Sequence, residues 1–180
     1  DYSQGSVRQT GGTYDLALSG SGFFAVSVTD KAGEVHTRYT RDGRFHLTKD
    51  GLLVDADGNA VQGQNGNITI DPSSKNVSIS ATGQITADGE LVDTLNIVDF
   101  EDYDYLKKYG DTMYEPVDGA TTKDAEGEIL QGYTEQSNVN VVREMVDMIT
   151  ITRAYEAGQK VIRSYDSMLD KSVNQVGALK

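Results

Sequence analysis

The sequence predicts a mainly β protein, with a single domain of short strands and Asp-Gly hairpins followed by one long C-terminal α-helix. Residues 1–134 contain short apolar runs separated by Gly, Asp, Ser and Thr, which are residues that favour turns. Residues 137–176 contain no proline and a single glycine, a composition that permits an uninterrupted helix. We therefore expect a β-rich domain at residues 1–134 and a helix of coiled-coil type at residues 135–180.

Strands are predicted wherever a short patterned run is bounded by turn residues. In chain order these runs are Tyr14–Leu18, Phe23–Thr29, Val35–Arg41, Arg44–Thr48, Leu52–Val54, Asn67–Ile70, Val77–Ser80, Gln84–Ala87, Thr94–Phe100 and Ile129–Thr134. Between them, residues 103–109 are expected to form a helical turn, and residues 119–127 a polar surface loop.

Asp-Gly dipeptides mark the predicted hairpins. The dipeptide occurs five times, beginning at Asp42, Asp50, Asp57, Asp88 and Asp118. A type I′ hairpin turn needs positive φ at both central positions, and Gly adopts positive φ at little cost. Each Asp-Gly pair is therefore expected to close a tight turn.

The charge and composition exclude several classes of protein. A net charge of −12 with sixteen Lys and Arg argues against a nucleic-acid partner, which requires clustered positive charge. The absence of Cys excludes disulfides, thiolate metal sites and a Cys nucleophile. We find no apolar run long enough to span a bilayer and no cleavable signal peptide. The chain begins at Asp1 without Met, so we expect a fragment or a processed product.

No catalytic, cofactor or metal site is predicted from the motifs. Residues 20–25 (GSGFFA) fit a dinucleotide fingerprint, but they continue into a strand and not into a helix. Residues 55–59 (DADGN) lack the later ligands of a calcium loop and are expected to form an exposed turn. His36 and His46 are expected to be ordinary sheet residues. Asp99, Glu101, Asp102 and Asp104 are expected to be a solvated charge run.

The predicted helix carries a repeating apolar row. Ser137 or Asn138 is expected to be its N-cap, because a side-chain oxygen there can accept from an amide of the first turn. Taking every seventh residue from Val141 gives a first row of Val141, Met148, Tyr155, Ile162, Leu169 and Val176. A second row, four residues after each of these and mixed in polarity, is Met145, Thr152, Gln159, Asp166 and Val173. This spacing is typical of a coiled-coil seam. The predicted partner-binding residues are Val141, Met145, Met148, Thr152, Tyr155, Ile162, Leu169, Val173 and Val176.

Other apolar residues widen this seam on different sides at its two ends. Val142, Val146 and Ile149 flank it early, and Val161, Tyr165 and Met168 flank it late. A helix that is apolar on more than one side contacts more than one neighbour. Gly158, near the middle, is expected to be a point of bending.

The predicted helix is longer than the predicted domain. About 38 residues give a helix of roughly 57 Å, whereas a compact domain of about 130 residues is roughly 35 to 40 Å across. The seam is therefore expected to be covered by something outside this chain, either a removed helix of the same polypeptide or other subunits.

Three segments carry a resemblance to a known family: LALSGSGFFAV, YTRDGRFHLTKDGLLVDADGNAVQG and EQSNVNVVREMVDMITITRAYEAGQKVI. They resemble the bacterial flagellar rod and hook proteins, most closely the distal rod protein and its rod paralogues. In that family an N-terminal helix, missing from this sequence, pairs with the C-terminal helix in an inner tube of axial subunits, and the β domain lies outside the tube.

The resemblance implies a structural subunit of the flagellar basal-body rod without catalysis or cofactors. The subunit is expected to polymerise through its terminal helix into an axial tube that transmits torque and conducts export. Its expected partners are copies of itself, neighbouring rod and hook proteins and the flagellar export apparatus, with no nucleic acid and no membrane insertion. The expected location is the basal body, outside the cytoplasm, after export without a cleaved signal peptide.

Three alternatives remain open from the sequence. The chain could be a hook or proximal-rod paralogue of the same family. It could belong to a different class, as a secreted β-rich module that binds glycan or Ca²⁺ through its Asp-Gly turns. It could also be a hydrolase that uses the acidic cluster near Asp102.

Overall fold

The computed structural model describes residues 2–30 and 32–176, and the side chains as far as Lys171. The chain divides into two compact units, the first ending at Asn138 and the second beginning at Val139. The first unit is built of strands and the second contains one long helix, which confirms the predicted fold class. The predicted domain boundary after residue 134 stays a prediction.

The strands of the first unit are short. They are β1 (Val7–Gln9), β2 (Leu16–Ser19), β3 (Phe23–Thr29), β4 (Val35–Thr40), β5 (His46–Leu47), β6 (Leu53–Val54), β7 (Ala60–Gly63), β8 (Gly66–Asn67), β9 (Val77–Ile79), β10 (Gln84–Ala87), β11 (Glu90–Thr94), β12 (Ile97–Phe100), β13 (Leu106–Tyr109), β14 (Met113–Pro116), β15 (Thr122–Asp124), β16 (Glu128–Gln131) and β17 (Tyr133–Glu135). A 3₁₀-helix at Tyr103–Tyr105 precedes β13.

The largest sheet is centred on β3. Its strand order is β13-β14-β4-β3-β7-β6-β5, with β12 paired to β3, β15 paired to β12 and β8 paired to β7. A separate three-stranded sheet has the order β11-β10-β9, and two further pairs join β16 to β2 and β1 to β17. Every strand pair among the described residues is antiparallel, both in the hairpins and in pairs of distant strands such as β1 with β17.

Strand β3 separates two apolar clusters because its side chains alternate between the faces of the sheet. Phe24 and Val26 belong to the larger cluster, which also contains Leu18 and Ile85 from other sheets. Phe23 points to the opposite face and joins a smaller, largely aromatic cluster. The seven-residue run FFAVSVT is therefore buried on both faces, and its boundaries match the prediction.

A buried carboxylate contacts the aromatic cluster through Tyr103. Asp99 on β12 is fully buried, and its Oδ1 accepts hydrogen bonds from the Tyr103 hydroxyl and the Phe100 amide, each at 2.8 Å. The Lys123 ammonium on β15 lies 3.1 Å from Asp99 Oδ2. Burial by itself raises the pKa of Asp99, but the bonds from Ser21, Tyr103, Phe100 and Lys123 outweigh burial and hold this pKa below its usual value.

Because the pKa of Asp99 is lower in the folded state, its ionised form stabilises the fold above the unfolded pKa of about 3.9. This contribution is expected to be lost as the pH falls from about 4 through the folded pKa. The Asp99→Asn variant should be less stable at neutral pH, and its free energy of unfolding should fall less steeply in acid. Denaturant titrations between neutral pH and acid check this. An identical acid slope in both proteins would contradict the assignment to Asp99.

Most of the predicted strands are present. The run predicted at Asn67–Ile70 is a strand only at Asn67, within β8, and β1, β7, β11 and β14 were not predicted. The predicted strand Ile129–Thr134 is two strands, β16 and β17, because Gly132 between them has φ of +80° and breaks the extended backbone. The helical turn predicted at residues 103–109 ends at Tyr105, and β13 follows it. The predicted loop at residues 119–127 contains β15, whose three side chains are all exposed, so that their pattern carries no strand signal.

Only one of the five Asp-Gly pairs has the backbone predicted for a type I′ turn. At Asp88-Gly89 both residues have positive φ, of 51° and 92°, and the pair joins β10 to β11. At three other pairs only the glycine has positive φ, and the Asp before it does not: these glycines are Gly51, Gly58 and Gly119. At the fifth pair, Gly43 does not have positive φ either. The type I′ backbone is therefore confirmed at Asp88-Gly89 and was wrong for the other four pairs. Bonds from the Gly51 amide to the Thr48 carbonyl and from the Gly58 amide to the Asp55 carbonyl still close turns at Asp50-Gly51 and Asp57-Gly58.

The second unit contains one helix, α1 (Val141–Val176). Its N-cap is Asn140, whose Oδ1 accepts from the amides of Val142 and Arg143 at 3.1 and 3.2 Å. The predicted caps Ser137 and Asn138 precede the helix start and are not used in this way. Asn138 instead donates its side-chain amide to the Ser3 carbonyl at 2.7 Å.

Candidate assembly surface

The predicted partner-binding residues whose side chains are described lie on the surface of α1. Val141, Met145, Met148, Tyr155, Ile162 and Leu169 have between 58% and 68% of their surface exposed. Thr152 is also exposed, and its hydroxyl donates to the Met148 carbonyl at 2.8 Å. Val173 and Val176 lie within α1, but their side chains are outside the described residues. Apolar surface of this extent is typical of a protein–protein contact.

The helix differs from the rest of the chain in charge. Residues 141–176 carry five basic and five acidic side chains, whereas residues 1–140 carry ten basic and twenty-three acidic ones, a net charge of −13. Two acidic domains repel each other at low salt, but two such helices do not. Exposed apolar area and zero net charge thus occur together in α1.

An ion pair that sequence reasoning missed closes the first unit near its C-terminal end. The Arg41 Nε lies 2.9 Å from Glu135 Oε2, and the two side chains are only 17% and 11% exposed. The Arg41 guanidinium also donates to the carbonyls of Gly20 and Gly22 at 3.1 and 3.0 Å, while Glu135 Oε1 accepts from the Gly5 amide at 2.8 Å. Arg41 therefore ties β17 to the β2–β3 turn.

The segments YTRDG and YTEQSNV contain Arg41 and Glu135, respectively. Their presence among the residues that carry the family resemblance was a signal that these side chains matter. Their pairing could not be read from the sequence, because 94 residues separate them.

The candidate acidic cluster is not assembled into one site. The prediction of a solvated charge run is confirmed for Glu101, Asp102 and Asp104, which are exposed. It was wrong for Asp99, which is buried against Tyr103 and Lys123. The Asp102 carboxylate accepts from the Asp104 amide at 2.9 Å and caps the 3₁₀-helix. The carboxylates of Asp99 and Asp102 therefore have structural partners.

The predicted turn at residues 55–59 joins β6 to β7, but Asp55 is buried and not exposed. Asp55 Oδ1 accepts from the amides of Asp57 and Asn59 at 2.9 Å each, and both carboxylate oxygens accept from the Asn59 side chain. The carboxylate thus stabilises the turn itself. This arrangement does not favour the calcium-binding alternative.

The two histidines lie on β4 and β5, which follow each other in the chain but are separated by β3, β7 and β6 in the sheet. His46, on β5, is exposed. His36, on β4, has its Nε2 at 3.5 Å from Asp30 and 3.8 Å from Glu34 at the tip of the β3–β4 hairpin. The Asp30 carboxylate also accepts from the amides of Glu34 and Ala32, and these bonds lower the pKa of Asp30.

No helix in residues 2–30 and 32–176 is long and apolar enough to cross a membrane.

Two family models match the chain. Residues 130–176, which include α1, match the family described as "Flagellar basal body rod FlgEFG protein C-terminal". Residues 17–87, from β2 to β10, match "Flagellar hook protein FlgE/F/G D1 domain".

Known proteins are similar over almost the whole chain. The flagellar basal-body rod protein FlgG of Buchnera aphidicola subsp. Schizaphis graminum is 36% identical over 183 residues, which cover 94% of this chain and 68% of that protein. The rod protein FlgF of Caulobacter vibrioides is 34% identical over 181 residues, with coverage of 99% and 72%. FlgG of Bacillus subtilis is 32% identical over 192 residues, with coverage of 96% and 69%.

Proposed function

Because this chain belongs to the family of flagellar basal-body rod proteins, we propose that α1 is the element through which it assembles. The chain is a structural subunit of the rod, and the alternative of a hook paralogue is not favoured over this assignment. One observation carries the proposal: the apolar side chains of α1, among them Met148, Tyr155 and Ile162, are more than half exposed. Helices of other axial subunits would cover them.

The wider role follows from assembly. Copies of this chain polymerise through α1 into an axial tube that transmits torque and conducts export. The partners are further copies and neighbouring rod and hook proteins, and the flagellar export apparatus delivers the subunit beyond the cytoplasm without a cleaved signal peptide. The zero net charge of α1 supports close approach of many copies, since a charged helix would repel its neighbours in a tube.

The subunit acts without catalysis or cofactors. The carboxylates near Asp102, which are the best candidates for acid–base chemistry, are occupied by structural contacts or exposed. A hydrolase would require two of them to converge in a pocket. Their separation supports a structural role.

The proposal is tested by comparing the full chain with a chain that ends at Asn138. The shorter chain keeps Glu135, which pairs with Arg41, and Gln136, whose amide donates to the Ser6 carbonyl. We expect it to unfold cooperatively and to remain monomeric, whereas the full chain should self-associate as its concentration rises. Sedimentation velocity and thermal unfolding measure the two properties. Equal association of both chains would place the contact outside α1.

A further inference from the structure

The two end segments of the first unit lie side by side as one antiparallel ribbon, which we call the terminal ribbon and which consists of residues 2–9 and 133–138. Its middle is the pairing of β1 with β17, and its end is Asn138, the last residue of the first unit. Only Val139 separates this end from Asn140, whose side chain is bonded to the first turn of α1. Force that travels along the backbone between α1 and the first unit therefore passes through the terminal ribbon.

Hydrogen bonds extend the terminal ribbon beyond the last residue pair of β1 and β17. The Gln136 amide donates to the Ser6 carbonyl at 2.8 Å, and the Ser6 hydroxyl donates to the Gln136 side-chain oxygen at 3.2 Å. Further along, the Asn138 side-chain amide donates to the Ser3 carbonyl and hydroxyl at 2.7 and 3.0 Å. Residues 136–138 are thus bonded to the opposite segment and do not form a free tether.

Gly5 permits the close approach of the two segments. A Cβ built on Gly5 would overlap the carbonyl oxygen of Gln136 and would lie 3.3 Å from the amide nitrogen of Asn138. The Gly5 amide also donates to Glu135 Oε1 at 2.8 Å. Gly5 does not have positive φ, so its backbone conformation does not require glycine. The close approach does require it, because any Cβ would push the two segments apart.

Each segment of the terminal ribbon is anchored to the rest of the first unit by a side chain. The Tyr2 ring lies in the aromatic cluster, with its centroid 5.0 Å from that of Tyr103 and 5.4 Å from that of Tyr114. The Tyr2 hydroxyl donates to the Leu106 carbonyl at 3.3 Å. The other segment is anchored by the ion pair of Glu135 described above. The two segments are therefore attached to the unit independently of each other.

The terminal ribbon borders an open cleft. The cleft has a volume of about 500 Å³ and is lined by residues of both segments, among them Ser3 and Asn138, together with Arg44 and Tyr114 from the rest of the unit. Ser3 and Asn138 are exposed. Because little apolar area is buried at this end of the ribbon, its integrity depends on the hydrogen bonds and on the close fit of the two backbones.

We propose that the terminal ribbon is the mechanical link through which torque passes between α1 and the first unit, and that its stiffness depends on Gly5. A single segment of chain transmits little torque, since each residue can turn about two soft backbone dihedrals. Two bonded segments resist such turning, because twisting one against the other breaks the hydrogen bonds between them. The inference rests on the proposed function, since torque reaches the chain only within an assembled rod, and it names the element that transmits the torque.

Gly5→Val in the full chain tests the link, with Gln9→Val as the matched control. Gln9 is exposed on the same segment, so its substitution adds the same side chain without a clash. Gly5→Val should make the Gln136 amide exchange its hydrogen about tenfold faster, because the bond to Ser6 opens more often. Gln9→Val should leave this rate unchanged. Hydrogen exchange followed by NMR measures both.

Asn138→Ala is a milder second variant. It removes the side-chain bonds to Ser3 and introduces no clash, so it supplies the same test if thermal unfolding shows that Gly5→Val destabilises the first unit. Neither substitution changes α1, so self-association measured by sedimentation velocity should equal that of the unmodified chain. Weaker self-association of Asn138→Ala would make the ribbon a contact between copies and would overturn the mechanical role.

Load distinguishes a mechanical link from a purely structural contact. In a strain in which the gene is deleted, Gly5→Val should support swimming in dilute medium and lose it in medium thickened with a polymer, whereas Gln9→Val should support swimming in both. Loss of swimming in both media, with rods present in purified basal bodies, also supports the link. Swimming of Gly5→Val in thickened medium, unchanged exchange of the Gln136 amide or absence of rods would overturn it while leaving assembly through α1 intact. An unmodified chain that stays monomeric would overturn both.

Discussion

A strain in which the gene for this protein is deleted, and which expresses the Ile162→Asp or Leu169→Asp variant instead, is expected not to swim. Both side chains are more than 60% exposed in the single chain, so the substitutions cost little before assembly. In the proposed tube they would bury a charge without a partner, at a cost of several kcal/mol. Each subunit repeats the same contacts in the array, so the penalty recurs at every interface.

The control for this experiment introduces the same charge on the other side of α1. Ser167→Asp should support swimming, and so should Asp102→Asn and substitutions of His36 and His46, for which no chemistry is proposed. The melting temperature of the first unit should be unchanged in all of these α1 variants. Swim-plate motility, with immunoblots for protein level, measures the outcome. Normal swimming with Ile162→Asp, or paralysis with a stably folded Asp102→Asn, would contradict a function located in α1.

Arg41→Met should lower the free energy of unfolding of the first unit by about 3 kcal/mol, which is typical of breaking a largely buried ion pair. The Glu135 carboxylate, 11% exposed, would lose its cationic partner. The carbonyls of Gly20 and Gly22 would lose their donors. Denaturant unfolding of the full chain, followed by a β-sheet signal, measures the change.

Arg44→Met is the matched control. Arg44 pairs with Asp42 at 2.6 Å, but its side chain is 64% exposed, and exposed ion pairs contribute about 0 to 1 kcal/mol. A loss of stability from Arg44→Met as large as that from Arg41→Met would show that the position of Arg41 between β17 and the β2–β3 turn is not special.

The strands that the sequence predicts correctly are those whose side chains show the apolar pattern of a buried strand. The run Phe23–Thr29 was predicted without error because its apolar residues are buried on both faces. By contrast, β15 is exposed throughout and exists because its backbone pairs with β12. Residues 106–109 have the spacing of a helical turn, but Leu106 is buried in the aromatic cluster and the segment pairs with β14. Pairing with β12 therefore decided the first of these elements, and burial of Leu106 with pairing to the adjacent β14 decided the second.

The sequence by itself determined the class of fold, the length of α1 and the apolar rows on it, because periodicity and the absence of helix breakers are local properties. The family resemblance also followed from local motifs. Only the tertiary structure decided that Asn140 caps the helix, that Arg41 meets Glu135 across 94 residues, and that Asp99 is buried against Lys123. The Arg41 and Asp99 contacts depend on which strands pair across the sheets, and pairing between distant segments leaves no pattern in a single sequence. The cap is local, but Ser137, Asn138 and Asn140 are all residue types that cap helices, so the sequence does not choose among them.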